Sequence, residues 1–586
     1  MKKLCWAVLA FSLLVTRSAR SSADDHRKRL DDAIRSYEAA GHTRFRGLPE
    51  DASLRHLSFS RAVDGDSSRL VNDPTYWLDE IRRAAARQFT ATPMKGSFAK
   101  VTQSAAHRDW TAFLGQGATV GALNFPAKFS LTVNGTPSCS DFIVFNTSLS
   151  GTSTRPSLVA FNNLYKAPTC AGTVPAVFWA YNTGGNVVNS VIISPDGTQV
   201  AFVQTTHVNA TLIVLKWPSA GGGTIAAPLE VPVSHSYPSC TAPCMAALPF
   251  ANKATDFSSA PFYDYSGSDT LFVGDQLGVL HEFHPVFSGS PQEVVTGGFP
   301  LTVSQTGRPL SDPVYDSATG LVFVGEGHNG TSTNDGTLHA VDIAAASVST
   351  SAPICRGVGF LGAPLLDPTA QTLYLACAND VGGGNCPAHS ACLRQFSETG
   401  ISQSTGTGVP LGAGAATTAI GGGAFDNLYL TSADPAAPSG NFYICGNPSG
   451  LPTIYRVPIT SNLMGSPLAI NTVSGTTGAG CSPITEFFND TTNTDWLFVS
   501  TSTGGNQTGC TSSGCLYGFN ATVPLNVGAN AGDGIAVAGG SSGIIVDNIG
   551  AATSTAANVY YSSLANQACA GQMGGCAVQA SQNGLQ

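Results

Sequence analysis

One phrase recurs along this chain: an apolar run that ends on an acid, a turn, and a second apolar run. The first runs read VIISPD, APFYD, DPVYD, APLLD, GGAFD, SPITE and GIIVD. They end at Asp196, Asp264, Asp316, Asp367, Asp426, Glu486 and Asp547, at intervals of 68, 52, 51, 59, 60 and 61 residues. Their partners read TQVAFVQ, DTLFVGD, GLVFVGE, QTLYLAC, DNLYLTS, DWLFVST and NVYYSSL. Short runs rich in β-branched and aromatic residues, bounded by turn formers, are strands. Each interval has room for four of them. One such unit cannot bury both of its faces, so successive units must stack, and a ring of four-stranded blades is the usual closed solution.

Seven repeats are visible in this way. Ahead of them, KFSLTV, DFIVFNT, SLVAFNN and AVFWAYN supply either a degenerate eighth unit or strands that close the ring. The expectation is therefore an all-β protein, a β-propeller of seven or eight four-stranded blades over residues 120–586. A chain with 65 Gly, 34 Pro and only 11% charged residues suits strands joined by turns better than helices. The segment ISPDGTQVAFVQ (Ile193–Gln204) resembles the Pro-Asp-Gly repeat of TolB-type propellers. LFVGDQLGVLHEF and LVFVGEGHNGTSTNDGTLHAVD resemble blades of pyrroloquinoline-quinone-type propellers. The texture of DFIVFNTSLSGTSTRPSLVAFNNLY is similar to exported bacterial propeller proteins of uncharacterised function. The resemblance covers about ten residues per blade and implies a fold, not an activity.

Residues 1–23 have the layout of a secretory signal: Lys2 and Lys3, an apolar run from Leu4 to Val15 too short to span a bilayer, then small residues at Ser21 and Ala23. Residues 24–110 read as a helical or flexible lead-in. Leu30, Ile34 and Tyr37 share one helical face, and Asp73 caps a second helix with Pro74 at its first position and Trp77, Ile81 and Ala85 as its stripe. Of 28 Lys and Arg, 18 fall in the first hundred residues; residues 101–586 hold 10, against 25 Asp and Glu. A surface that tracks phosphates needs clustered cations, so nucleic acid is excluded as a partner. No later stretch is long and apolar enough for a membrane span. The reading is an exported monomer, periplasmic or extracellular.

Cysteine usage points the same way. Cys5 leaves with the signal, and fourteen remain. Close neighbours suggest Cys240–Cys244, Cys386–Cys392, Cys510–Cys515 and Cys569–Cys576. Longer pairings are Cys139–Cys170, Cys355–Cys377 and Cys445–Cys481. A zinc site is the rival reading, but repeated C-x2-C pairs are missing.

Candidate chemistry thins out on inspection. A quinone-dependent dehydrogenase needs a tryptophan docking motif in each blade and often adjacent cysteines; from residue 120 on, the tryptophans are Trp179, Trp217 and Trp496, and no two cysteines adjoin. GGSSG (Gly539–Gly543) matches G-x-S-x-G, but it precedes an inner strand where a hydrolase needs a strand and a helix. Calcium loops of the D-x-D-x-D-G type are absent, and the strand-end acids read as turn initiators. The expectation therefore names no catalytic, cofactor-binding or metal-binding residue and no cofactor. Sequons begin at Asn134, Asn146, Asn209, Asn329, Asn489, Asn506 and Asn520.

What remains is the length of the loops between second and third strands. One repeat needs only DQL, while others insert EGHNGTSTND, NDVGGGNCPAHSA and STGGNQTGCTSSG. Equivalent loops emerge on one side of the disc, so these build a single rim, several of its loops stapled by Cys386–Cys392, Cys510–Cys515 and Cys569–Cys576. His328, Asp335, Asn385 and Asn506 are its candidate binding residues. His339 and Asp342, three apart on a strand, point to opposite faces and form no site with them. The expected function is binding or scaffolding of a protein or glycan through this rim. The alternative is a carbohydrate-active hydrolase or lyase with acids in the central funnel.

Overall fold

A computed structural model describes residues 49–50 and 107–581 apart from short gaps, the longest being 130–137, 328–335, 523–533 and 549–556. The lead-in helices expected between residues 24 and 100 lie outside the described residues.

Eight sheets follow one another along the chain, seven built on an antiparallel meander of four strands and the last on three C-terminal strands joined by one from the other end of the chain. Their first strands are Ala127–Phe129, Ile192–Ile193, Phe262–Tyr263, Val314–Asp316, Leu365–Asp367, Ala424–Phe425, Thr485–Asn489 and Ile545–Asn548, which number blades 1 to 8. First strands of neighbouring blades touch one another, as in blades 1 and 2, 6 and 7, and 7 and 8, so they form the inner wall. Blade 1 is the group of strands that sequence left between a degenerate unit and a closing device; it is a complete blade.

Closure comes from elsewhere. The outermost strand of blade 8 is His107–Gly115, paired antiparallel with Gln572–Ser581. The ring therefore starts ahead of the expected boundary at residue 120, inside the segment read as a lead-in. A ring of sheets needs its two ends joined, and a strand from one terminus in the sheet of the other removes both edges.

Second and third strands are apolar on both faces because neighbouring blades cover both. Val200–Val203 in blade 2, Leu271–Gly274 in blade 3 and Val322–Gly325 in blade 4 are buried at every residue. The outer strand Ser347–Thr350 alternates exposed and half-buried positions. The core is correspondingly a succession of layers between blades. One unites Phe272, Val314 and Leu366 from blades 3, 4 and 5; another unites Phe145, Phe161 and Tyr560 across the seam of blades 1 and 8.

The acids that end the inner strands build turns. Asp367 accepts the N–H groups of Thr369 and Ala370, both at 3.0 Å, and Asp196 accepts that of Thr198 at 3.1 Å. A second device sits at the other end of the inner strands, where a serine precedes the strand. The hydroxyls of Ser259, Ser311, Ser482 and Ser542 accept the N–H of Gly274, Gly325, Ser500 and Ser562 at 2.7–2.9 Å. Each thereby clips the end of a second strand to the segment entering the blade.

Candidate functional site

In an antiparallel meander the turns joining strands one to two and three to four lie at one end, and the two-to-three loops and inter-blade links lie at the other. Bridges from link to loop, such as Gly327 with Gly359 and Ser474 with Gly505, confirm that the second set packs together around the ring. All seven expected disulfides are formed. Five of them, Cys355–Cys377, Cys386–Cys392, Cys445–Cys481, Cys510–Cys515 and Cys569–Cys576, belong to this loop face. Cys139–Cys170 and Cys240–Cys244 belong to the opposite one.

Beneath the loop face of blades 3, 4 and 5 runs a buried row of ion pairs, each joining an acid after the second strand to a base on the third. His281, His339, Arg394, Tyr455 and Tyr517 hold one repeat position on the third strands, facing Val273, Val324, Leu375, Ile444 and Val499 of the second. In blade 5, Arg394 and Asp380 are fully buried and joined by two hydrogen bonds of 2.9 and 2.6 Å. In blade 4, Glu326 lies between His339 at 3.3 Å and the Arg308 guanidinium. Burial opposes the charge on Glu326, but the His339 hydrogen bond and Arg308 outweigh it and hold the carboxyl below its usual range. In blade 3, His281 lies between Asp275 at 3.3 Å and Glu293 at 2.6 Å. Burial would lower its pKa; the two carboxylates raise it instead.

These pairs shape the rim and are buried beneath it, with only Arg308 and Glu293 partly exposed. Among the described residues, Asp380 with Cys386 and Cys392 is the gathering of metal-type side chains. Its sulfurs are joined to each other and its carboxylate is held by Arg394, so no ligand atoms are left over. Exposed polar groups of the rim cluster above this point. Arg356, on the link from blade 4 to blade 5, approaches His389 at 3.3 Å and donates to the Val381 carbonyl at 3.2 Å.

Of the four rim residues chosen from sequence, Asn385 is exposed in the Cys386 loop with a left-handed φ of 73°. Asn506 is exposed in the Cys510 loop, but its amide donates to the Thr472 carbonyl at 2.6 Å and its N–H to the Tyr517 hydroxyl at 3.2 Å. His328 and Asp335 lie outside the described residues. His339 and Asp342 do part as expected: His339 is buried, and Asp342 accepts the N–H groups of Ala344 and Ala345 in a turn.

The strand-end acids offer little to a reaction in the funnel. Asp264, Asp316, Asp367, Asp426 and Asp547 are buried, and several staple blades together, as when the Tyr429 hydroxyl donates to Asp367 at 2.7 Å. Asp312, just ahead of the inner strand of blade 4, has a carboxyl that accepts the Ala260 N–H at 2.6 Å; burial pushes its pKa up to about 7. Glu398 was missed by sequence because nothing local marks it. It is buried near Asp316 and Asp367, and burial with those two charges pushes it up to about 9. Ser541 of GGSSG is buried, its hydroxyl donating to the Ser542 carbonyl at 2.9 Å. The sequon residue Asn146 is buried as well, its amide donating to the carbonyls of Val187 and Asn189.

No protein-family model matches this chain, and no curated protein matches it in sequence. Solved structures do. Sqt1 of Saccharomyces cerevisiae is 10% identical, with 82% of this chain and 99% of that chain covered at a TM-score of 0.43. The Dos1 propeller is 9% identical, with 72% and 98% covered at 0.34. BamB of Moraxella catarrhalis is 9% identical, with 67% and 96% covered at 0.31. At these values the likeness carries no argument about function. The chain is an eight-bladed, disulfide-stabilised β-propeller on the strength of its own strand order and cross-links.

Proposed function

We propose that this protein is an exported propeller, periplasmic or extracellular, that works as a monomer and captures a protein or glycan partner on its loop face. One observation carries the reading: five of the seven disulfides staple the links and long loops of a single face. Cross-links there hold loops in one conformation before a partner arrives, which lowers the ordering cost of binding. The buried row Asp275–His281, Glu326–His339 and Asp380–Arg394 fixes the bases of the loops between second and third strands in blades 3, 4 and 5. Seven disulfides also suit an oxidising compartment. Among the described residues no helix is long and apolar enough to cross a membrane.

The test is capture by the immobilised full-length secreted chain, using a glycan panel and a surface-protein extract. Two variants serve as arms: one with 502–514 replaced by a tight Asn-Gly turn, and one lacking Cys240–Cys244 on the opposite face. Capture should be lost in the first and kept in the second. The reverse pattern, or capture unchanged by the loop replacement, overturns the assignment.

A further inference from the structure

The seam where the ring closes contains a group of side chains that neither turn building nor binding explains. Lys128, on the inner strand of blade 1, and Asp547, on the inner strand of blade 8, are both fully buried, with Nζ 3.1 Å from Oδ2. Asp141, Tyr165 and Tyr560 are fully buried with them. The Tyr165 hydroxyl lies 2.9 Å from Asp141 Oδ2 and 2.9 Å from Asp547 Oδ2, and the Tyr560 hydroxyl lies 3.3 Å from the same Asp547 oxygen. Trp110, Phe145 and Phe161 pack in the same apolar layer as the two tyrosines.

Charge counting makes this arrangement unusual. Two carboxyls and one ammonium lie in a site closed to solvent, where every charge left ionised is costly. The Tyr165 hydroxyl has one proton to donate and two carboxyl oxygens at bonding distance, so one of those contacts is satisfied only if a carboxyl carries a proton. Burial with the neighbouring Asp141 charge indeed raises the Asp547 pKa, against the opposing pull of Lys128. Moving a proton from Lys128 to Asp547 removes both charges. It leaves an amine next to a neutral carboxylic acid in a site closed to solvent, which are the conditions under which an amine becomes a nucleophile and proximity replaces activation.

We propose that Lys128 and Asp547 join in an intramolecular amide bond that closes the propeller covalently. The lone pair of Nζ attacks Cγ of Asp547, and the C–N bond forms as the carbonyl π pair moves to oxygen. The nitrogen then loses a proton, Oδ2 gains one and leaves as water, and the carbonyl re-forms on Oδ1. One amine and one carboxylic acid give one amide and one water, with no oxidant or cofactor. Tyr165 touches the departing oxygen and is the catalytic group that hands it the proton. Asp141 acts through Tyr165 as a positioning residue. Oδ1 accepts no hydrogen bond among the described residues, and it is the oxygen the amide keeps.

Mass spectrometry of the reduced full-length chain decides the matter. The expected mass is one water below that of the linear sequence, and trypsin should fail to cut after Lys128 and release one branched peptide holding both residues. Lys128→Arg keeps the charge but cannot form the bond, and should show the linear mass. Asp141→Asn should fold, by circular dichroism, yet leave most chains unlinked, a loss that a merely structural role would not produce. A linear mass for the wild type, tryptic cleavage after Lys128, or a branch to any residue other than Asp547 overturns the proposal.

Discussion

Breaking the Arg394–Asp380 pair tests the view that the loop face stands on buried charges. Both side chains are inaccessible to solvent, and two hydrogen bonds of 2.9 and 2.6 Å join them. Asp380→Leu removes the carboxylate bonded to the guanidinium and strands a cation whose remaining acceptor among the described residues is the Thr405 carbonyl at 3.1 Å. An uncompensated buried charge of this kind costs about 3–5 kcal/mol. Unfolding entropy of about 2.1 cal/mol/K per residue, over the roughly 480 residues from His107 on, gives about 1 kcal/mol per degree, so the midpoint should fall by about 3–5 °C. The double variant Asp380→Leu with Arg394→Met replaces the pair by apolar groups and should recover most of the loss, because desolvation of both charges is removed together. Thermal melts by calorimetry on the four proteins of the cycle measure this. A single variant within about 1 °C of wild type, or a double variant whose loss equals the sum of the singles, refutes the reasoning.

Three further outcomes follow from the same geometry. Glu398→Gln should stabilise the protein at neutral pH and flatten its stability between pH 4.5 and about 9. The folded-state pKa is raised, so the stability tied to the protonated group is present below the unfolded value and lost as pH rises through the folded one; an unchanged pH slope refutes the assignment. Removing Cys355–Cys377, with a separation of 22, should cost about 3 kcal/mol by loop entropy, and removing Cys240–Cys244, with a separation of 4, about 2 kcal/mol; denaturant melts returning the opposite order would count against that account. A fluorophosphonate probe should fail to label Ser541, which is buried, and Ser541→Ala should cost about 1 kcal/mol through its lost hydrogen bond; labelling that disappears in this variant would restore the hydrolase reading.

Much of this architecture is legible in sequence because it is local. The strand-and-acid phrase marks seven inner strands, and blade 1 shows as four apolar runs without the acid. Spacing suggests the four short disulfides, since partners four to seven residues apart bracket a single turn or hairpin, whereas it leaves the three longer pairs open and the structure decided them. The repeat position of His281, His339 and Arg394 also shows by alignment. The closing strand His107–Gly115 hides behind the charged lead-in, although Trp110, Ala112 and Leu114 alternate inward and carry the period-two signal.

Sequence alone determined that the chain must stack four-stranded units, that its cysteines suit cross-linking, and that its longest loops share one edge, because each of these depends on residues near one another in the chain. Tertiary structure decided the rest. It set the count at eight by pairing the N-terminal strand with the C-terminal one. It showed that five of the seven strand-end acids are buried, and gave Glu326 its Arg308, His281 its Glu293 and Asp547 its Lys128. Those partners come from different blades or distant segments. A charge in sequence carries no mark of which opposite charge the fold will bring to it, or of how little water will be left between them.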